Sequence, residues 1–257
     1  MGELEFYSKA KNWDFSMINY TFETASTWDM YDILKKSSNP ESVILDLGTA
    51  AGEKVLKYFP ECKRIVGTDY SYDMIENAKK NLAESGKKNI EFMVMDNLRL
   101  EFDENTFDIV TARHTVIDPK GIYKVLKPGG LLIVRGVDKY DCWDLKEMFG
   151  RGQAFFDKKP ISEIDFEAIK RVGFTNVIKK EIKVNEYYKT KEDLMMLLCK
   201  TPILTDFSEI GEMEFKEYMI DEETIDKYID EHTTEKGILL SRVYYGITGR
   251  KKKEVQL

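Results

Sequence analysis

The sequence predicts an α/β protein built on a doubly wound, mostly parallel, seven-stranded sheet with a helical insertion before the last strand. Short runs of Val, Ile and Leu alternate with amphipathic helical patterns between residues 43 and 137. An acidic stretch at 200–236 separates the last two strand-like segments. Alternation of strand and helix is typical of parallel sheets, in which each crossover is right-handed.

Seven segments have the length and composition of β-strands. The first five are near-continuous apolar runs, as expected for parallel strands that are buried on both faces. The last two come after the pattern changes, and we expect them to form a pair that ends the sheet. In chain order, the strands are predicted at Val43–Leu47, Arg64–Thr68, Ile90–Met95, Phe107–Ala112, Leu131–Val137, Asn176–Tyr188 and Gly237–Thr248.

Capping residues predict where several helices begin and end. Ser71 can cap a helix that Gly86 ends, because its hydroxyl accepts from unpaired amides and glycine tolerates the left-handed C-terminal turn. Asp118-Pro119 begins another helix, which Pro128-Gly129-Gly130 ends. The other helices are predicted at Glu53–Tyr58, Asp141–Gly150, Ser162–Val172, Leu194–Cys199 (after a capping box at Thr190) and Glu222–Glu231.

We interpret the chain as a single domain, residues 1–257, because no internal repeat or Pro/Ser-rich linker interrupts it. Its predicted parts are an N-terminal helical cap at 1–42, a core at 43–137, the C-terminal half of the sheet at 138–199, the helical insertion at 200–236, and a last strand with a basic tail at 237–257.

Composition disfavours several classes of protein. The 257 residues are 42% hydrophobic, which is enough to bury a sizeable core. With 46 acidic and 39 basic residues, the net charge of −7 makes a nucleic-acid partner less favoured. The three cysteines form no paired motif, which indicates a cytoplasmic protein without a metal site. No apolar run approaches the ~18–20 residues that span a bilayer, so we expect no membrane partner.

The loop after the first strand carries the densest chemical signal, Val43-Ile-Leu-Asp-Leu-Gly-Thr-Ala-Ala-Gly-Glu53. A strand that turns sharply into a helix beneath a ligand requires small residues. Asp46 lies within the apolar run, where an unpaired carboxylate would be costly. Two more acids, Asp69 and Asp96, end the second and third strands. We therefore expect three acids along the edge where open α/β sheets bind ligands.

These motifs resemble those of the class I S-adenosylmethionine-dependent methyltransferases that act on small molecules. The resemblance covers roughly residues 43–137 and implies a Rossmann-like fold that binds S-adenosyl-L-methionine in this core. The acid-x-Gly-x-Gly-x-Gly signature of the family falls on Asp46, Gly48, Ala50 and Gly52. Four later motifs follow in order at Val66-Gly-Thr-Asp-Tyr-Ser71, Met95-Asp-Asn-Leu98, Phe107-Asp-Ile-Val-Thr-Ala112 and Val125-Leu-Lys-Pro-Gly-Gly-Leu131.

The resemblance implies a role for each matching residue. The loop at Gly48–Gly52 would pack against the amino acid and ribose of the cofactor, while Asp46 supports its ammonium group. Asp69 would accept hydrogen bonds from the ribose hydroxyls. Tyr70 and Met74 would contact the cofactor, with ordinary helix–sheet packing as the alternative role. The full set of expected cofactor contacts is Asp46, Gly48, Thr49, Ala50, Gly52, Asp69, Tyr70, Met74, Asp96, Asn97, Leu98 and Ala112.

Ala50 departs from the family pattern, which has glycine at this position. If the position requires a positive φ, an alanine there is strained by ~1 kcal/mol or more. Either the turn is locally different or the affinity for the cofactor is weakened.

A dinucleotide-binding dehydrogenase shares this loop chemistry and is the main alternative class. Its G-x-G-x-x-G fingerprint would place the last glycine at 53, where this chain has Glu53. Asp46 would also repel a pyrophosphate, whereas a cofactor with a cationic end attracts a carboxylate. The sign of the charge favours the methyltransferase.

Arg113 and His114 follow the fourth strand, where the resemblance places the methyl acceptor, and are the predicted catalytic residues. Neutral imidazole can accept a proton near neutral pH, although His114 could instead only order its loop. Because the methyl group of a sulfonium is already activated, alignment of the reactants supplies most of the rate.

We expect a small-molecule acceptor with an O, N or C nucleophile, and a monomer or homodimer. The fourth strand is not followed by an Asn-Pro-Pro-Tyr-like or Pro-Cys motif, and the insertion at 200–236 is acidic. A tRNA or rRNA base methyltransferase and a non-catalytic binder of the cofactor are the alternatives. The resemblance implies that an aromatic entry segment, Trp13-Asp-Phe15 with Tyr20 and Trp28, folds over the cofactor, although it could instead pack on the sheet edge. The segment Gly150–Phe156 is either a substrate-facing loop or a plain linker.

Overall fold

The computed structural model describes residues 16–206 and 219–253. The chain divides into two compact units, each assembled from three stretches of sequence. The first unit comprises 1–27, 137–161 and 181–244, and the second comprises 28–136, 162–180 and 245–257. The single-domain interpretation stays a prediction, because the two units alternate along the chain. The segment Trp13-Asp-Phe15 lies outside the described residues.

Helices and strands are numbered here in chain order. The strands are β1 (Tyr20–Glu23), β2 (Val43–Leu47), β3 (Arg64–Asp69), β4 (Ile90–Val94), β5 (Phe107–Arg113), β6 (Leu126–Val137), β7 (Thr175–Tyr188), β8 (Thr233–Thr234) and β9 (Gly237–Arg250). The helices are α1 (Met30–Ser37), α2 (Glu53–Tyr58), α3 (Tyr72–Ser85), α4 (Pro119–Val125), α5 (Trp143–Phe149), α6 (Ile161–Val172), α7 (Lys191–Lys200) and α8 (Glu222–His232).

In the second unit, strands β6, β5, β2, β3 and β4 follow one another in the order β6-β5-β2-β3-β4. The pairs β2–β3, β2–β5, β3–β4 and β5–β6 are parallel. The chain proceeds from β2 to β3 and β4, then returns to β5 on the opposite side of β2. Such a reversal of strand order opens a crevice at the carboxyl ends of the strands, where α/β sheets bind ligands.

The core of the second unit forms where α1, α2 and α3 bury apolar side chains against the sheet. Helix α3 forms as its caps predict, because the Ser71 hydroxyl accepts from the Met74 amide at 3.3 Å and Gly86 ends the helix at a φ of +68°. The buried cluster comprises Met30, Leu34, Ile44, Val55, Phe59, Ile65, Ile75, Ala78, Ile90, Phe92, Ile109, Leu131 and Ile133.

The first unit contains β1, which pairs antiparallel with the C-terminal part of β7, and β8, which pairs antiparallel with β9. Helix α7 begins at the predicted cap, since the Thr190 hydroxyl accepts from the Asp193 amide at 3.1 Å. The core of this unit is formed mainly by helices α5, α7 and α8. Its buried residues are Ile18, Cys142, Leu145, Tyr188, Leu194, Leu197, Leu198, Ile203, Leu204, Ile225, Tyr228, Ile238 and Leu240.

Three predictions about the fold are corrected. The sheet is mixed and has nine strands rather than seven, because β1 and the two-residue β8 add antiparallel pairs. Residues 1–42 are not a purely helical cap, since β1 precedes α1. Helix α4 ends at Val125, before Pro128-Gly129-Gly130. Strand β6 begins at Leu126 and its register on β5 shifts across that segment, so the glycines form an irregularity within the strand.

The predicted insertion at 200–236 is described only in part. Its described residues include α8, and residues 207–218 lie outside the description. Within 16–206 and 219–253, no helix is both long and apolar enough to cross a membrane.

Candidate cofactor and acceptor site

The candidate site lies in the second unit, where β2, β3, β4 and β5 end. The parallel registers place Leu47 beside Thr68 and Ala112, and Asp69 beside Val94. The loops that follow these strands therefore meet along one edge of the sheet, called the rim below. Every predicted site residue belongs to one of these strands or to the loop or helix start that follows it.

The loop between β2 and α2 has a left-handed backbone at three positions. The φ angles are +71° at Gly48, +50° at Ala50 and +78° at Gly52. A Cβ on Gly48 would lie 2.7 Å from the Thr115 Cβ, and one on Gly52 would lie 2.6 Å from the Phe92 ring. Both glycines are therefore required by space as well as by conformation. Ala50 adopts the positive φ on which its expected strain depends.

Asp69 connects this loop to the turn before α3 through its two carboxylate oxygens. Its Oδ2 accepts from the Ala50 amide at 2.9 Å, and its Oδ1 accepts from the Ser71 amide at 3.0 Å. Burial raises the pKa of Asp69, although these two amide hydrogen bonds oppose the rise. Each oxygen retains acceptor capacity, because an ionised carboxylate offers about four lone-pair sites. Asp69 can thus accept further hydrogen bonds from a ligand.

Asp46 is buried within β2 and is 6% exposed. The Thr111 hydroxyl donates to its Oδ1 at 2.6 Å. Burial raises the pKa of Asp46 to about 6, while the Thr111 and Thr49 hydroxyls and the Arg113 charge oppose the rise. The Thr49 hydroxyl is itself buried and close to Asp46, but it completes no hydrogen bond with a described residue. A carboxylate in this setting is stabilised by any cationic group that approaches it.

The residues after β4 form a turn that Asp96 fixes by accepting from the Leu98 amide at 2.9 Å. The Asn97 side chain points inward, accepts from the Thr68 hydroxyl at 3.1 Å and donates to the Thr115 hydroxyl at 3.1 Å. Leu98 is exposed, so its apolar side chain is open to a ligand. The Asn97 side chain supports the rim, which leaves its backbone for the predicted cofactor contact.

The three other predicted cofactor contacts differ in exposure. Tyr70 is 56% exposed, whereas Met74 is 4% exposed and Ala112 is fully buried. Tyr70 therefore presents an open ring, while Met74 packs in the interior at the start of α3. A cofactor role for these residues stays a prediction.

Arg113 ends β5 and His114 follows it, at the mouth of the site, where the methyl acceptor is predicted. The Arg135 guanidinium lies 2.8 Å from the His114 Nε2, and because arginine can only donate, that nitrogen accepts. A neutral His114 then carries its proton on Nδ1. Nε2 can act as a general base only when this hydrogen bond is broken.

Three residues at or near the rim were not predicted from the sequence. Thr111 carries the hydroxyl that bonds Asp46, and a polar residue within a predicted apolar strand could have indicated it. Arg135, near the end of β6, is likewise a polar residue within a predicted apolar strand. Tyr31 lies on α1, and nothing in its local sequence connects it to the rim.

Comparisons with known proteins identify the family. The sequence pattern of a family described as a methyltransferase domain matches residues 38–197, more than half of the chain. The chain belongs to this family, within the class I S-adenosylmethionine-dependent methyltransferases. The predicted class and its cofactor, S-adenosyl-L-methionine, are thereby confirmed, and the dehydrogenase alternative is set aside.

Two curated relatives and one solved structure illustrate the similarity. A demethylmenaquinone methyltransferase of Lactococcus lactis is 39% identical over 79 residues, which cover 27% of this chain and 31% of that protein. A ubiquinone/menaquinone biosynthesis C-methyltransferase of Desulfotalea psychrophila is 32% identical over 113 residues, 40% of this chain and 44% of that protein. The chain thus spans less than half the length of these relatives. The YcgJ protein of Bacillus subtilis has the same fold, with a TM-score of 0.56, 16% identity, and coverage of 88% of this chain and 98% of that one.

The residues present at the rim fit S-adenosyl-L-methionine. Gly48 and Gly52 let the loop backbone turn tightly against Thr115 and Phe92, and Asp69 offers carboxylate lone pairs for hydroxyl donors. The buried Thr49 hydroxyl and the Asp46 carboxylate provide polar atoms toward a cationic end. The loop, the two acids and the turn after β4 are the parts that would hold the cofactor.

Proposed function

We propose that this protein transfers a methyl group from S-adenosyl-L-methionine to a small-molecule acceptor at the rim of its second unit. The observation that carries the proposal is the pair of carboxylates, Asp46 and Asp69, at the ends of adjacent parallel strands on either side of a left-handed loop. Neither forms an ion pair with another described residue, so their charge remains for a cationic, hydroxyl-bearing ligand.

The chain contributes binding and orientation. Asp69 is held rigidly by two backbone amides, so its remaining lone pairs point in fixed directions for the ribose hydroxyls. Asp46 supplies negative charge beneath the loop for the amino end of the cofactor. When bound, the cofactor supplies a methyl group on a positively charged sulfur, ready for displacement. The side chains around the mouth align the acceptor and exclude water, which supplies most of the rate.

The relatives suggest which acceptor to test first. Their names describe methylation of demethylmenaquinone and C-methylation in ubiquinone/menaquinone biosynthesis. We therefore propose a carbon of a quinol-type ring as the first acceptor class, with small O and N nucleophiles next. In this proposal, Arg113 interacts with a ring oxygen of the acceptor. His114 can orient that oxygen through Nδ1–H while its Nε2 accepts from Arg135.

Titration of S-adenosyl-L-methionine and S-adenosylhomocysteine into the protein by calorimetry tests the cofactor site. We expect Asp69→Ala to weaken binding by ~1.5–3 kcal/mol, as for a hydrogen bond to a charged group. Asp73→Ala is the matched control, because Asp73 is an exposed acid in the first turn of α3. Unchanged affinity in Asp69→Ala would contradict the assigned ribose contact.

Transfer of a labelled methyl group tests the reaction. The protein is incubated with labelled cofactor and, separately, a reduced quinone, a mixture of small metabolites, and RNA. Label in the quinone or the metabolites supports the proposal, whereas label in RNA alone would favour the nucleic-acid alternative. We expect His114→Ala to lower turnover without changing the affinity for the cofactor. An equal loss of both would assign His114 a structural role only.

A further inference from the structure

The turn that follows β5 brings His114 against Arg135 of the neighbouring strand β6. In an extended strand, His114 would leave the opposite face of the sheet from Arg113 and its register partner Arg135. A left-handed backbone, with a φ of +53° at His114, ends the extended conformation. The His114 Nε2 then lies 2.8 Å from the Arg135 Nη1. The turn therefore determines which residue the imidazole contacts.

Arg135 holds His114 at two points. Its carbonyl oxygen accepts from the His114 amide at 2.8 Å, and its guanidinium donates to the ring nitrogen Nε2. A left-handed conformation is unfavourable for a residue with a side chain, and it persists where the surrounding structure over-determines it. The two bonds to Arg135 provide that constraint at His114. Strained residues of this kind cluster at functional sites.

The next residue, Thr115, is fixed against the loop that is predicted to hold the cofactor. Its hydroxyl accepts from the Asn97 side chain at 3.1 Å, and a Cβ on Gly48 would lie 2.7 Å from the Thr115 Cβ. His114 thus belongs to a turn that β6 fixes on one side and the Gly48 loop fixes on the other. Because its side chain is exposed, the ring is held in place and is also accessible from solvent.

The side-chain contact between Arg135 and His114 determines where the imidazole proton lies. A hydrogen bond at an exposed position contributes little to the stability of the fold, because water competes for both partners. It does decide the tautomer of a histidine, since the partner of one ring nitrogen sets the protonation of the other. Arginine only donates, so Nε2 accepts and a neutral ring carries its proton on Nδ1.

We propose that Arg135 is a positioning residue, which fixes the His114 ring as an Nδ1–H donor and prevents Nε2 from acting as a general base. The inference rests on the proposed function, since it concerns the acceptor end of the same site. It deepens that function by selecting the acceptor class. A donor stabilises an oxygen that carries negative charge, such as a ring hydroxyl that has already ionised. An acceptor that must lose its proton to His114 does not fit this arrangement.

Nitrogen NMR of the histidine rings tests the tautomer, because protonated and unprotonated ring nitrogens differ in chemical shift. The chain has two histidines, and His232, whose Nδ1 lies 2.9 Å from the Tyr228 carbonyl oxygen, is the internal control. Spectra of the wild type, Arg135→Met and Arg135→Lys are recorded at pH ~8, where an unperturbed imidazole is neutral. We expect His114 to carry its proton on Nδ1 in the wild type, to populate both tautomers in Arg135→Met, and to recover in part in Arg135→Lys. The His232 signals should not change.

Methyl transfer from the labelled cofactor tests the roles of the two residues. His114→Gln keeps a side-chain acceptor and donor but cannot act as a base. We expect its turnover to stay within about tenfold of the wild type, whereas loss of a general base would cost about 100-fold or more. Arg135→Met should lower kcat about tenfold and leave KM for the cofactor unchanged, and Arg135→Lys should restore part of the loss. Arg171→Met, which removes an exposed arginine from the last turn of α6, should change neither value.

Three outcomes would overturn the proposal. They are an Nε2–H tautomer of His114 in the wild type, an unchanged His114 signal in Arg135→Met, and a loss of turnover of about 100-fold in His114→Gln. If Arg135→Met does not fold, Arg135→Lys and His114→Gln decide the question through the same measurements. If the wild type methylates no acceptor, the proposed function fails, and the ring spectra alone decide whether Arg135 fixes His114.

Discussion

Buried carboxylates occur in both units of this protein, but their partners differ. In the first unit, Arg242 donates to Asp141 through Nε at 2.9 Å and Nη2 at 3.0 Å, and to Glu186 through Nη1 at 3.0 Å. In the second unit, Asp46 and Asp69 receive only hydroxyl and backbone amide donors. One group of acids is neutralised by a buried guanidinium, and the other has no cation bonded to it among the described residues.

The difference distinguishes a structural charge network from a binding site. Burial alone would lower the pKa of Arg242, but the Asp141 and Glu186 charges raise it, so the network remains ionised. At the rim, burial raises the pKa of both Asp46 and Asp69, so each carboxylate is destabilised until a ligand supplies donors or positive charge. Acids whose charge is not compensated within the fold are the better candidates for function.

The largest expected effect comes from breaking the structural network. Arg242→Met leaves Asp141 and Glu186 buried without their cation, which should lower the free energy of unfolding by about 3–5 kcal/mol. Urea denaturation at pH 7 measures the change. The exposed ion pairs of Lys191 with Glu222 and Asp226 provide a control, since Lys191→Gln should cost less than ~1 kcal/mol. Similar losses in the two variants would show that the Arg242 network is not specially stabilising.

A smaller effect should appear in the pH dependence of cofactor binding. Folded Asp46 takes up its proton at about pH 6, whereas an unfolded aspartate does so near pH ~3.9. The folded state therefore binds more protons between these values, and this group lowers stability as the pH rises through that window. A cationic ligand favours the ionised form, so the affinity for S-adenosyl-L-methionine should rise about tenfold from pH 5 to pH 7.

Calorimetry across this pH range measures the effect, and Asp46→Asn is its control. The variant has no proton to release at position 46, so its affinity for the cofactor should depend less on pH. A residual pH dependence should come from Asp69, whose pKa is also raised. The same change of affinity with pH in the variant and the wild type would show that Asp46 does not interact with the cofactor.

The smallest effect concerns the strained residue in the rim loop. Ala50→Gly should stabilise the protein by about 0.5–1 kcal/mol, because glycine adopts a φ of +50° without the penalty that alanine has. Thermal or urea unfolding measures the difference. Ala51→Gly is the matched control, since Ala51 is buried outside the left-handed region and should be destabilised by this change. A gain of stability in Ala50→Gly together with a loss in Ala51→Gly would confirm the strain at Ala50. A loss of stability in Ala50→Gly would refute it.

Much of the rim could be predicted from local sequence. The apolar run before Asp46 and the glycines after it specify a strand, a left-handed turn and a helix, and Ser71 and Gly86 specify the ends of α3. Strand β1 was missed because it has only four residues, all of them exposed, and its pairing partner β7 lies far along the chain. The start of β6 was misplaced because pairing with β5 overrides the tendency of Pro128-Gly129-Gly130 to end regular structure.

The sequence by itself determined the family, the order of strands and helices from β2 to β6, and the positions of the acids at the rim, because strands, caps and tight turns are specified by residues close together in the chain. Only the tertiary structure decided which charges meet. Arg242 reaches Asp141 across 101 residues of sequence, and Arg113 faces Arg135 because two strands align in one register. Such contacts depend on long-range packing, so the division between neutralised and uncompensated charge becomes visible only in the folded protein.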